Sequence, residues 1–355
     1  MPANSPRPSL RERTNGYTLT PSQYLVLAYI ALGALTLIVL TGAAVRLTGS
    51  GLGCPTWPKC YGNLYPPLKT HALIEFSNRL ITGPVCIAAG LAWVGALRRR
   101  PYRRDLVWLG ALLPLGVVCQ AVLGGLTVRG KLDYGWVMGH FALSMLILAA
   151  AAALAWRAAH EPDRSWETLA SGEHPRFDQH PRFGQRPRDG DRTLVWLARA
   201  LVALGALTIF AGTAATAAGP HAGGNPGEHI NRLDFDGRGT MDFVIHRHAE
   251  IAFVFSLLAV FVWWLARRRG AEQLVRRCTT VLCVLLVLQG AVGLDQYETH
   301  LPTELVWVHV LLACGCWLAA LWTAYAAGRL PERLQEPVEA TREPRETPPP
   351  VRVSA

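Results

Sequence analysis

The stretch SMLILAAAAALAW, residues 144–156, decides the fold class because it is apolar on every side of a helix. A helix of a soluble bundle needs a polar face beside its apolar one, so this stretch is typical of a helix surrounded by lipid. The composition of the whole chain agrees, since 51% of its 355 residues are hydrophobic and only 17% are charged. A soluble helical bundle is the alternative, but the sequence lacks the amphipathic stripes that such a bundle would need.

Seven further apolar blocks accompany this stretch, and each has about the 20 residues that cross a hydrocarbon core. The eight predicted spans cover residues 23–45, 72–97, 106–127, 135–156, 193–215, 243–266, 278–297 and 304–327. The sequence therefore predicts an all-α integral membrane protein with eight transmembrane helices.

Arginines concentrate in alternate loops. The segments RRRPYRR at 98–104 and RRRGAEQLVRR at 267–277 hold five arginines each and follow the second and sixth spans. Because such loops stay on the cytoplasmic side, we expect a multi-pass protein of the cell membrane with its N- and C-termini in the cytoplasm. The net charge of +10 reflects this topology and anionic lipid headgroups, and is no argument for nucleic acid.

The chain is predicted to be a duplicated four-helix unit. Glycines and polar residues recur at an offset of 170 in the first two spans of each half and 169 in the last two. Chance similarity between apolar helices is the alternative, but it does not explain a near-constant offset. The matched pairs are Gly42 with Gly212, Gly49 with Gly219, Asn78 with His248, Gln120 with Gln289, Gly124 with Gly293, and His140 with His309.

This duplication divides the chain into two pseudo-symmetric four-helix bundles, residues 23–157 and 193–327. Between them, residues 158–192 are rich in Pro and Arg and are predicted to form a disordered cytoplasmic linker. Residues 1–22 are a predicted cytoplasmic tail, and residues 328–355 a predicted disordered one.

Three histidines are predicted to lie at one depth in the membrane. His140, His248 and His309 each come about five residues into a span that starts at the extracytoplasmic face, which places them about 7–8 Å below the boundary. Two histidines at one depth on different helices of a bundle can bind a haem iron from both sides. His248 and His309 are therefore predicted to hold a haem, while buried structural histidines are the alternative. His246 is a weaker candidate ligand.

The N-terminal half pairs His140 with Asn78 at the matching positions. Asparagine is a poor ligand for haem iron, so this site is predicted to be open on one side and suited to a molecule that reacts and leaves. Glu75 lies one turn before Asn78 and can accept or donate a proton there. An ion pair of Glu75 with Arg79 is the alternative role, and the two roles can coexist.

Two cysteines lie outside the spans. Cys54 and Cys60 belong to the first extracytoplasmic loop, GCPTWPKCYG, where oxidising conditions favour a disulfide. A metal site is the alternative, but the loop offers no further ligands to complete it.

These residues together carry a resemblance to the haem A synthase family over nearly all of residues 20–327. Members of that family are eight-helix membrane enzymes that oxidise the C8 methyl group of haem O to the formyl group of haem A, for use by terminal oxidases. The motifs are TGAAVRLTGSGLGCPTWPKC, EFSNRLITG, QAVLGGLTV, GPHAGG, HRHAEIAF and QGAVGLDQY.

The resemblance implies roles for single residues. It makes His248 and His309 the ligands of a haem b cofactor, His140 a histidine of the substrate-haem site, and Glu75 the glutamate of the family's E-x-x-H-R motif. Asn78 departs from that motif, which leaves His140 as the one protein ligand to the substrate iron. Cys54 and Cys60 match the family's pair of loop cysteines.

The same resemblance implies a mechanism and partners. Glu75 would handle protons, and Arg79 or Arg46 would meet a haem propionate. Expected partners are haem O, a haem O synthase, assembly factors of the terminal oxidase and membrane lipid. The sequence leaves open whether the chain forms a homo-oligomer. The rival functions are a non-catalytic cytochrome b, which would more naturally keep two histidines in both halves, and a haem carrier, which would not need Glu75.

Overall fold

The computed structural model describes residues 18–160, 192–224, 229–235 and 239–328. The greater part of the predicted linker 158–192 and of the two predicted tails lies outside these ranges. All eight of the helices below belong to one compact unit.

The eight predicted spans are confirmed as helices, and the described ranges contain no β-strand beyond two isolated bridges. Each helix has 25–29 residues and so a length of about 37–44 Å, enough to cross a membrane. In chain order they are α1 (Pro21–Leu47), α2 (Thr70–Arg98), α3 (Arg104–Arg129), α4 (Tyr134–Ala159), α5 (Arg192–Ala218), α6 (Thr240–Arg268), α7 (Gln273–Glu298) and α8 (Thr303–Ala327).

The helices extend beyond their apolar blocks at most ends. The largest difference is at α7, which begins at Gln273 rather than at residue 278. The residues in between include Arg276 and Arg277, whose polarity hides the start of the helix from an apolar pattern. At the first helix, Thr20 forms a capping box with Gln23, and Pro21 occupies the first turn.

The four helices of each half close into a bundle. In the N-terminal half each of α1 to α4 packs against the next and α4 returns to α1, and α5 to α8 repeat this order. Small residues line these helix contacts and let the backbones approach closely. Fully buried examples are Ala28, Ala31, Ala89, Ala92, Ala151, Ala152, Ala198 and Ala320.

The two bundles meet through equivalent helices. The fourth helix of each bundle takes part in this contact: α4 and α8 pack against each other. In addition, α8 contacts α1, and α4 contacts α5. Indole N–H groups of α8 join the halves: Trp317 Nε1 donates to the Met145 carbonyl at 3.1 Å, and Trp307 Nε1 donates to that of Leu40 at 3.1 Å. The predicted pair of pseudo-symmetric bundles thus describes the observed packing.

The duplication extends to the backbone of the loops that precede α4 and α8. Lys131 and Leu132 have φ of 50° and 59°, and the matching His300 and Leu301 have φ of 63° and 62°. Residues other than glycine rarely adopt this left-handed conformation, and two in succession are rarer still. Each loop therefore aims its following helix, and with it a histidine, in the same way.

Candidate functional site

His248 of α6 and His309 of α8 face each other in the C-terminal bundle. Their ring centroids lie 6.2 Å apart and their planes are inclined by 69°. With metal–nitrogen bonds of about 2 Å, two imidazoles that bind one iron from opposite sides have centroids about 6 Å apart. The observed separation therefore fits one iron between the two rings.

Each of these rings lies against a glycine of a neighbouring helix. A Cβ atom added to Gly212 would lie 3.1 Å from Cε1 of His248, and one added to Gly293 would lie 3.2 Å from Cε1 of His309. Both distances are too short for an ordinary contact. The glycines that mark the repeat are thus the residues that make room for the histidines.

Hydrogen bonding sets the tautomer of His248. Its Nδ1 lies 3.0 Å from the carbonyl oxygen of Thr208, which can only accept, so Nδ1 carries the proton. Nε2 then has its lone pair available for a metal, because the hydrogen bond at Nδ1 fixes both the tautomer and the orientation of the ring. Nδ1 of His309 is buried and has no hydrogen-bond partner among the described residues.

His140 repeats the environment of His309 in the N-terminal bundle. A Cβ atom on Gly124 would lie 3.3 Å from Cε1 of His140, and Nδ1 of His140 is likewise buried without a partner among the described residues. Gln120 Nε2 donates to the His140 carbonyl at 2.9 Å and to the Ser144 hydroxyl at 2.6 Å. These two bonds join α3 to α4 beside the histidine.

Asn78 does not repeat the environment of His248. Its Oδ1 accepts a hydrogen bond of 2.7 Å from the hydroxyl of Thr41 on α1. A Cβ atom on Gly42 would meet nothing within 4 Å, whereas the matching Gly212 is covered by the His248 ring. A cavity of about 330 Å³, lined mainly by apolar side chains of α1 and α2, lies beside Asn78. The shorter residue thus leaves open space between two helices.

Glu75 and Arg79 fasten the first extracytoplasmic loop to α2. The carboxylate of Glu75 is 5% exposed, and it accepts a hydrogen bond of 2.6 Å from the Cys54 amide and another from Arg79. Arg79 also donates to the carbonyls of Cys54 and Thr56 at 3.1 and 2.9 Å. The ion pair that was the alternative role of Glu75 is therefore present. The predicted proton-transfer role stays a prediction.

The disulfide between Cys54 and Cys60 is confirmed. The loop that it closes reaches from α2 to α3, because a Cβ atom on Gly125 would lie 3.0 Å from the ring of Trp57. Gly125 directly follows the glycine that makes room for His140. The disulfide loop therefore packs beside the N-terminal histidine.

Two other predicted polar residues lie at the edge of the bundles. Arg46 Nε donates to the carbonyl of His221 at 3.0 Å, and His221 Nε2 donates to the carbonyl of Leu301 at 2.7 Å. Arg46 of α1 is thereby attached to loops of the C-terminal half. His246, the weaker candidate ligand, is exposed, and its Nδ1 donates to the Asp242 carbonyl on its own helix.

Four residues that make contacts at or near the candidate sites were not predicted from the sequence: Thr41, Trp57, Thr208 and Trp307. Thr208 could have been found, since it lies one helical turn before Gly212. The others carry no local signal, because their partners are distant in sequence.

The described part of the chain contains no group of three or more His, Cys, Asp or Glu side chains placed to hold a metal ion. A haem iron takes its equatorial ligands from the macrocycle, so a pair of histidines is sufficient for it. Two facing imidazoles, one with Nδ1 protonated, in a glycine-lined space fit a haem better than a bare ion.

A family model described as cytochrome oxidase assembly protein, COX15-CtaA, matches residues 25–321. This range includes nearly all of the eight helices and every site residue described above.

Three relatives illustrate the similarity. A protein named heme A synthase from Shouchella clausii is 27% identical over 314 residues, which are 84% of this chain and 96% of that protein. A heme A synthase from Lysinibacillus sphaericus is 38% identical over 126 residues, 35% of this chain and 41% of that protein. A protoheme IX farnesyltransferase from Thermus thermophilus is 29% identical over 82% of this chain, and this chain spans 46% of its length.

Proposed function

The chain belongs to the COX15-CtaA family of cytochrome oxidase assembly proteins, and we propose that within it the chain is a haem A synthase. Such an enzyme oxidises the C8 methyl group of haem O to the formyl group of haem A. A relative named heme A synthase, similar over 84% of this chain, supports the proposal. The observation that carries it is that two copies of one scaffold have unequal sites: His248 faces His309, whereas His140 is paired with Asn78.

The C-terminal bundle, residues 193–327, holds a haem b cofactor between His248 and His309. The centroid separation of 6.2 Å and the protonated Nδ1 of His248 support this assignment. A haem bound in this way supplies electron transfer. The Thr208 carbonyl and Gly212 position the imidazole of His248, and Gly293 makes room for that of His309.

The N-terminal bundle, residues 23–157, receives haem O. His140 binds its iron from one side, and Asn78 leaves the other side without a protein ligand. The space of about 330 Å³ beside Asn78 is open to the surroundings between α1 and α2, which supports access to this side of the bundle; its lining residues come from α1 and α2 and not from α4. Asn78 and Thr41, which are hydrogen-bonded to each other, both line that space.

Glu75 accepts protons that are released near the substrate as the methyl group gives up its electrons to an external electron acceptor. It lies one helical turn from Asn78, and its burial keeps its carboxylate away from water. Arg79 stabilises the charge of Glu75 and holds the disulfide loop against α2. Both terminal nitrogens of Arg79 are engaged with Glu75 and loop carbonyls, whereas Arg46 donates through Nε to the His221 carbonyl and its terminal nitrogens bond to no described residue, so Arg46 is the better candidate for a haem propionate.

The enzyme is a protein of the cell membrane with both termini in the cytoplasm, because the arginine-rich loops share one face. Its substrate comes from a haem O synthase, and its product goes to the assembly factors of a terminal oxidase. In support, a Thermus thermophilus protein named protoheme IX farnesyltransferase contains a region similar to 82% of this chain. The two activities would then act in sequence.

Pigment extraction tests the proposal. Membranes that contain this chain and a supply of haem O should yield haem A on chromatography, and membranes with the His140→Ala variant should not. The variant should keep the haem of the C-terminal half, which shows that it is folded. Recovery of haem O alone from the parent chain would contradict a synthase and favour a carrier or an electron relay.

A further inference from the structure

A second cavity lies at the opposite end of the C-terminal bundle from the histidines. It is a shallow cavity, largely open to the surroundings, with a volume of about 270 Å³ between the end of α6 and the start of α7. Its lining residues are Arg267, Gln273, Arg276, Arg277 and Thr280. We propose that it binds the phosphate group of an anionic phospholipid. This inference is independent of the haem chemistry.

The arginines of this cavity lack acidic partners. In the described part of the chain, the guanidinium groups of Arg276 and Arg277 make neither a hydrogen bond nor an ion pair, and Glu272 before them makes no ion pair. Arg267 is held in place, since Nη2 donates to the Thr280 hydroxyl at 2.7 Å and the guanidinium lies 4.0 Å from the centroid of the Trp263 ring. Three positively charged side chains therefore line this cavity and are available to bind an anion.

The start of α7 adds backbone donors to these charges. Its N-cap, Glu272, makes no side-chain capping bond, so the amide groups of the first turn lack that partner. Amides at a helix N-terminus and planar guanidinium groups are both suited to phosphate oxygens. The guanidinium groups of Arg276 and Arg277 line the cavity itself and are the donors on which the proposal rests.

The position of the cavity points to a lipid as the source of that phosphate. Trp263 and Trp264 lie on the last turns of α6, next to the cavity, and Arg268 lies 5.1 Å from the Trp264 ring. Tryptophans and arginines at the end of a span mark the level of the headgroups. A phosphate at this level belongs to a phospholipid whose chains lie along α6 and α7.

The matching loop of the N-terminal half offers no such site. There Asp105 accepts hydrogen bonds from Arg103 at 2.7 Å and from Arg157 at 3.1 Å. The positive charge of these two arginines is neutralised within the protein, so the binding of a lipid phosphate there would be less favourable. Arg103 and Arg157 are therefore not available for an external anion in the way that Arg276 and Arg277 are.

The test counts lipids bound to the purified full chain by native mass spectrometry during titration with phosphatidylglycerol or phosphatidylcholine. The parent should bind one phosphatidylglycerol tightly and phosphatidylcholine weakly. The double variant Arg276→Gln with Arg277→Gln should bind phosphatidylglycerol roughly 30-fold or more weakly, because hydrogen bonds to two charged groups are lost. The matched control, Arg98→Gln with Arg104→Gln, removes the same charge from exposed arginines of the N-terminal half and should lose less than about fivefold.

Several results would overturn the proposal. An equal loss in the control would show general surface attraction, and equal binding of the two lipids would show no headgroup site. Displacement of phosphatidylglycerol by millimolar inorganic phosphate would assign the site to a soluble anion. If the double variant does not fold, Arg276→Lys with Arg277→Lys keeps the charge but loses the planar donors. Parent-like lipid binding by that variant would contradict an arginine-specific site.

Discussion

The two halves of this chain share a scaffold and a histidine on the fourth helix, but they differ at the facing positions of the second helix. At matching positions the N-terminal bundle has Asn78, Glu75 and Arg79, and the C-terminal bundle has His248, Ile245 and Ala249. The first set forms hydrogen bonds to Thr41 and to the disulfide loop, whereas His248 lies against Gly212 and faces His309.

This difference shows how a duplicated bundle can acquire two functions without changing its frame. The helix order and the left-handed loop residues before α4 and α8 are the same in both halves. The specialisation lies in a few side chains of α2 and α6, together with the loop above α2. The following predictions test whether these side chains account for the two sites.

The largest effect is expected at the paired histidines. His248→Ala or His309→Ala should abolish the low-spin absorption spectrum of the purified protein, because in the proposed site each histidine would bind the haem iron. His246→Ala is the matched control, since His246 is exposed on the same helix, and it should keep the spectrum. Unchanged spectra in both ligand variants would rule out this pair.

Glu75→Gln should lower haem A formation by about 10²-fold or more, the usual contribution of a general base. The glutamine keeps the size of the side chain but loses proton transfer, and the haem of the C-terminal half should stay bound. The measurement is the yield of haem A per folded protein.

Arg79→Gln separates this role from loop anchoring. It keeps the carboxylate but removes the donors to the loop carbonyls, so a smaller loss is expected than for Glu75→Gln. If the two variants lose activity equally and both loosen the loop, as judged by faster proteolysis there, then Glu75 has a structural role only.

Two glycine variants compare the packing at matching positions of the two bundles. Gly212→Ala places a methyl group 3.1 Å from the His248 ring and should cost about 1–3 kcal/mol of stability or haem affinity. Gly42→Ala, at the matching position, meets nothing and should stay within about 0.5 kcal/mol of the parent. Thermal denaturation and haem content check both, and equal effects would contradict the difference in packing.

The smallest change in turnover is expected for Asn78→His. The new imidazole would occupy the space beside Gly42 and offer the substrate iron a second axial ligand. We expect more low-spin character in protein loaded with haem O but no gain in haem A formation, because tighter ligation holds a haem that must leave. A gain in turnover with an unchanged spectrum would show that Asn78 does not leave an open ligand position.

The span positions and the repeat could be predicted because they depend on local properties. Apolar length defines a membrane helix, and a duplication leaves glycines and polar residues at a constant offset. The misplaced start of α7 marks the limit of this signal, since a helix can continue into the headgroup region with polar residues such as Arg276.

The contacts of Glu75 could be predicted only in part. Its ion pair with Arg79 follows from a spacing of four residues along one helix. Its bond to the Cys54 amide depends on how the disulfide loop folds back over α2, which no spacing encodes.

The sequence by itself determined that the chain has eight membrane helices in two related halves, with histidines at one depth and a cysteine pair outside the spans. These are properties of length, polarity and register along the chain. Only the tertiary structure decided that the ring centroids of His248 and His309 lie 6.2 Å apart and that the Thr208 carbonyl sets the tautomer of His248. The same holds for the hydrogen bond of Asn78 with Thr41 beside a cavity. Such contacts depend on the rotation and approach of whole helices, which are set by packing summed over many distant residues.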